Sequence, residues 1–161
     1  MTLQETEGTN LGIVLRVPLL YGNVEKNPES AVNVLLDSLD KAQEKDTKVP
    51  MDDWAQRYPT NIEDVARVLQ DIATKYLDSS ASEKAAFPRI LHFSSEDRMT
   101  KYEIVKMMAD ILGLSMDNVV ANRQGNDPNS SVQRPFNTQL STKVLKELGV
   151  PVWTQDFEGW W

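Results

Sequence analysis

The sequence predicts an α/β fold, and three observations predict it. Gly12 to Val17, GIVLRV, is an apolar, β-branched run interrupted only by Arg16. That is the pattern of a strand buried on both faces in a parallel sheet. Arg89 to Ser94, RILHFS, is a second run of the same kind. Two further stretches carry apolar residues at spacings of three and four behind a Thr-x-x-Glu start, the signature of capped amphipathic helices. Two or three parallel strands with helices around them are expected.

Taken in order, Pro18 ends the first strand because it has no N–H to give to a central ladder. Tyr21-Gly22 turns the chain out at what would be the carboxyl end of a core strand, where ligands sit in open α/β sheets. Arg16 reads either as an edge residue paired with a carboxylate or as part of a site. Asn23 to Glu29 is a charged, proline-containing loop. Ser30 is placed to cap a helix with Val32, Val34, Leu35, Leu36 and Leu39 on its inner side. Thr47 to Asp52 is extended and Trp54 to Pro59 irregular. Thr60 and Glu63 form a capping box for a helix whose single stripe is Ile62, Val65, Ala66, Leu69, Ile72, Ala73 and Tyr76. Asp78 to Ala86 reads as a surface loop. Thr100 and Glu103 form the second box, opening a helix with Ile104, Val105, Met108, Ile111 and Leu112 inside and Gly113 as its stop. Val119 to Asn122 is a short strand, and Gln124 to Gln133 a polar loop. Ser141 caps a last helix through Leu148, closed by Gly149.

Composition narrows the function classes. The chain has 161 residues and a net charge of −7, with its acidic residues spread along it. A nucleic-acid or anionic-membrane surface would need a basic face, so neither partner is expected. No cysteine is present, which removes disulfides, thiol chemistry and zinc-finger spacing. No apolar run approaches the roughly 20 residues of a membrane span, and MTLQETEGTN is too polar for a secretory signal or transit peptide. A cytoplasmic protein is the expectation.

Candidate chemistry is sparse. His92 is the one histidine; in mid-strand, with no second histidine or cysteine to share a metal, it reads as structural. No metal ligand set is expected. Asp52-Asp53 and Glu63-Asp64 are adjacent, so on regular elements their carboxylates diverge. Tyr102 and Lys106 spell Y-x-x-x-K, but two fixed positions in five recur by chance, and Tyr102 opens an ordinary amphipathic helix. The seven glycines are scattered and form no phosphate-binding loop. No catalytic residue is assigned.

The order of motifs, however, resembles a known family. It runs from Arg16-Val17-Pro18-Leu19-Leu20-Tyr21-Gly22 to Gln56-Arg57-Tyr58-Pro59-Thr60 and Glu63-Asp64-Val65-Ala66. Leu91-His92-Phe93-Ser94, Met99-Thr100-Lys101-Tyr102-Glu103 and Gln133-Arg134-Pro135 follow, with Leu140 and Lys143 behind them. Across residues 11–150 this is similar to the C-terminal half of extended short-chain dehydrogenase/reductases. The nearest group is the RmlD-like one that includes dTDP-4-dehydrorhamnose reductase and the regulatory beta subunit of methionine adenosyltransferase. WAQRYPT, MTKYE and QRP look more like the beta subunit.

The resemblance implies the C-terminal part of a Rossmann-like fold with a small helical substrate lobe, laid out as one RmlD-like substrate-binding domain over 1–161. Residues 1–10 would be the remnant of a preceding helix and 151–161 a tail. In that family the glycine-rich loop and the catalytic tyrosine and lysine lie upstream of the Arg16–Gly22 motif, so the chain reads as truncated, whether by gene model, splicing or design. By resemblance, Arg16, Val17, Pro18, Leu19, Leu20 and Tyr21 would form the nicotinamide side only of a cofactor site. Trp54, Gln56, Arg57 and Arg134 would line the substrate side. NADP belongs to the intact family, and no cofactor is expected for this chain. The implied function is a non-catalytic, regulatory-subunit-like protein whose partner is a methionine adenosyltransferase catalytic subunit. The alternative is a fragment of an NADP-dependent nucleotide-sugar reductase. Self-association through an open strand edge is also expected. The terminal Phe157, Trp160 and Trp161 could serve an interface or pack on the chain's own sheet.

Overall fold

A computed structural model describes residues 12–129 and 131–161; the expected helix remnant at 1–10 lies outside the described residues. Among the described residues there are six short strands: β1 (Val14–Arg16), β2 (Leu20–Tyr21), β3 (Val49–Asp52), β4 (Thr60–Asn61), β5 (Ile90–His92) and β6 (Val119–Asn122). They join as three parallel pairs, β1 with β5, β2 with β4 and β3 with β6. The α/β class and the parallel pairing are as expected, but the strands are more numerous and shorter. Two-residue strands such as Leu20–Tyr21 and Thr60–Asn61 are too brief to carry any periodicity a sequence reading could detect.

The first strand differs from its expectation. The regular stretch is Val14–Arg16, and its burial alternates exposed, half-buried, exposed instead of being closed on both faces. With β5 as its one partner among the described residues, the register sets Val14 against Ile90 on an outward face, where they are 38% and 44% exposed. Leu15 and Leu91 point the other way, into a core with Val68, Ile72, Phe93, Leu145 and Val150. A second core lies beside it, around Tyr21, Val32, Leu39, Ile104, Val105 and Met108.

Helices α1 (Leu35–Lys41), α2 (Ile62–Asp78), α3 (Ala81–Ala86), α4 (Lys101–Leu112), α5 (Lys143–Glu147) and α6 (Phe157–Trp160) surround the strands. The Thr100 capping box on α4 is formed, with Glu103 N–H donating to Thr100 Oγ1 at 3.1 Å and Thr100 N–H to Glu103 Oε2 at 2.7 Å. Gly113 ends α4 in the left-handed region at φ 65°, where a side chain would be strained.

Other starts fall elsewhere. Asn61, not Thr60, caps α2, accepting from Glu63 N–H at 2.7 Å. Thr60 begins no helix because its hydroxyl is engaged between Tyr58 O and the amide of Ser95. Ser30 caps a first turn through the amides of Val32 and Asn33, with the regular helix beginning only at Leu35. Thr142 stands at the start of α5, one residue past the expected Ser141. The expected surface loop after Asp78 instead contains α3, closed by a Ser80–Glu83 capping box. Its Ser-x-x-Glu pattern was the available signal.

On α2 the buried side chains are Asp64, Val68 and Ile72, while Leu69 of the expected stripe is 49% exposed. The apolar residues form one broad arc, and spacing alone does not say that its Val68 side rather than its Leu69 side meets the core. The buried Asp64 is explained by the C-terminal segment: its Oδ2 accepts from Gln155 N–H at 2.8 Å. Arg67 donates to the carbonyls of Pro151 at 3.1 Å and Trp153 at 2.5 Å, and its guanidinium sits 3.7 Å over the Trp153 ring. This clamp leads the chain to α6. Phe157, Trp160 and Trp161 there pack around Tyr21, with ring centroids 4.8, 5.1 and 6.5 Å away. Residues 151–161 are therefore docked on the core, and of the two readings of these aromatics the inward one holds.

Candidate functional site

The residues expected on the cofactor side form a continuous strip. Arg16 ends β1 exposed, its carbonyl accepting from Phe93 N–H at 3.0 Å. Pro18 to Gly22 border a cavity of about 480 Å³ whose wall also includes Val24, Glu29 and Ile62. Its rim is fixed from one side: Ser30 Oγ donates to Leu20 O at 2.9 Å and Asn33 Nδ2 to Gly22 O at 3.0 Å. Gly22 is required by close approach, because a Cβ there would collide with Ile62, whose Cδ1 would be 2.6 Å away.

Tyr21 itself is 1% exposed, with its ring in the aromatic cluster. Burial pushes its phenol up to about 12, the Asn61 side chain pulling it back in part and the carboxylates of Asp64, Asp97 and Asp156 adding to the rise. It is held neutral and turned inward. The cavity meets chiefly Pro18, Leu19, Leu20 and Ile62, an apolar wall with Glu29 as its one charged lining residue among those described.

The substrate-side residues are brought together separately. Asp52 Oδ1 accepts from the amides of Trp54 at 2.9 Å and Ala55 at 3.1 Å, turning the chain after β3. Gln56 N–H donates to Phe136 O at 2.7 Å, and Arg57 pairs across to Met99. Arg57 Nη1 reaches Pro135 O at 3.4 Å, and Trp54 meets the Phe136 ring at 5.0 Å. The returning segment is secured where Asn126 and Arg134 exchange bonds: Asn126 Nδ2 to Arg134 O at 2.6 Å, and Arg134 N–H to Asn126 Oδ1 at 3.1 Å. Arg134 is exposed. Trp54, Gln56 and Arg57 thus form one face with Pro135 and Phe136 of the returning segment, whereas Arg134 is tied to Asn126 through its backbone and its side chain is exposed. Strand β4, which runs beside β2, links this face to the Leu20–Tyr21 strip.

Sequence reasoning missed three participants. Phe136 packs against Trp54 with its ring tilted by 57°, and Gly125 lets the loop approach, since a Cβ there would stand 3.0 Å from the indole. Asp53, weighed only as half of a diverging carboxylate pair, joins three elements. Its Oδ1 accepts from Thr100 Oγ1 at 2.9 Å and its Oδ2 from Arg123 Nε at 2.8 Å. The Arg123 guanidinium first, and then the Thr100 hydroxyl, hold its carboxyl below the usual range. Nothing local in sequence announces contacts across such separations. Among the described residues no group of three or more potential ligands could hold a metal ion. Nor is any helix among those residues long and apolar enough to cross a membrane.

The RmlD substrate binding domain matches residues 5–158. The chain is 42% identical over 144 residues to the methionine adenosyltransferase 2 subunit beta of Pongo abelii, covering 88% of this chain and 40% of that protein. Against the same subunit of Danio rerio it is 36% identical over 145 residues, covering 90% and 42%. The chain thus spans about two-fifths of the length of the curated relatives it matches. Among solved structures, dTDP-4-dehydrorhamnose reductase from Bacillus anthracis in complex with NADP superposes with a TM-score of 0.63 at 13% identity. That match covers 91% of this chain and 45% of the reductase. At such identity the likeness is one of fold alone.

Proposed function

From the premise that this chain belongs to the RmlD substrate-binding-domain family, we propose that it is a non-catalytic, regulatory-subunit-like protein. It acts by binding the catalytic subunit of a methionine adenosyltransferase. The observation that carries the reading is the 36–42% identity to curated methionine adenosyltransferase beta subunits along most of this chain. The reductase-like structures share the fold without favouring a reductase activity. Co-expression of the two proteins with a tag on the catalytic subunit tests the proposal. The chain is expected to co-purify, and a well-folded chain that stays in the flow-through removes it.

The same reading includes no cofactor for the chain by itself. The wall from Pro18 to Leu20 suits the face of a nicotinamide ring, but the pyrophosphate in such folds is held by amides of a glycine-rich turn. The sequence has no such turn, and Glu29 at the cavity repels a phosphate. The residues present therefore do not fit a whole dinucleotide, and no chemical step is assigned through one. The outward face of Val14 and Ile90, beside the edge of β1 that no described strand pairs with, is where a second copy would add to the isolated chain. Sedimentation of the chain alone reads this, and a monomer at every concentration contradicts it.

A further inference from the structure

We draw no further inference here: the strongest candidate, the groove between α4 and α6 lined by Met99, Met107 and Phe157, carries none, because the carboxylates along it are an exposed acidic cluster and nothing in the structure shows what covers them.

Discussion

Replacing Tyr21 by phenylalanine removes one oxygen from the aromatic cluster and should change how stability responds to alkaline pH. The phenol rises from 10.0 to about 12 in the folded chain, chiefly through burial. Above the unfolded value the unfolded chain has lost this proton while the folded chain keeps it. The unfolded state then binds fewer protons, and stability falls as pH rises, until the folded phenol also ionises. With these two values the loss grows from about 0.1 kcal/mol at about pH 9 to as much as ~1.4 kcal/mol at about pH 11. Tyr21→Phe lacks the ionisation. Near neutral pH it should cost no more than about 1 kcal/mol, the worth of one hydroxyl contact. Urea unfolding followed by fluorescence of the four tryptophans, run on both proteins across this range, measures the difference. The two curves should converge as pH rises and cross if the hydroxyl contributes little. Parallel loss in both proteins would refute the claim that the Tyr21 phenol is buried and neutral under the terminal aromatics.

Three further outcomes follow from the same contacts. Gly22→Ala drives a methyl into Ile62 and should destabilise the chain by about 1–3 kcal/mol in urea unfolding; an unchanged midpoint would mean the β2 turn moves freely. Arg67→Ala removes two bonds to backbone carbonyls and the stacking on Trp153. It should lower stability by about 1–2 kcal/mol and speed amide exchange across 151–156, whereas exchange as slow as in the parent chain would show that the segment is held by other means. Titration with NADPH, read by tryptophan fluorescence, should show no saturable binding in the micromolar range, and saturation there would reveal a dinucleotide site formed without a glycine-rich loop.

What was legible in the sequence, and what was not, follows from the range over which each interaction acts. The Thr100–Glu103 box and the Gly113 stop depend on neighbours within one turn, so residue type and spacing suffice to place them. The family motifs singled out Arg16 to Tyr21 and Trp54, Gln56 and Arg57 as candidates, because their order along the chain is itself a long pattern. The inward ring of Tyr21 was hidden, since it depends on aromatics more than a hundred residues later. Asn61 displaces Thr60 as the cap of α2 because Ser95, distant in sequence, claims the threonine hydroxyl. The outward turn of Val14 and Ile90 depends on how many strands flank β1, which hydrophobicity alone cannot count. Asp53 gains its role from Thr100 and Arg123, and one carboxylate beside another gives no hint of that.

The central claim is that this chain recognises a methionine adenosyltransferase catalytic subunit, and calorimetric titration of one purified protein into the other tests it most directly. The account predicts a saturable isotherm with a defined stoichiometry and a negative heat-capacity change, as burial of apolar surface requires. The absence of any saturable heat at several temperatures, with both proteins folded and sedimentation showing two separate species, would contradict it.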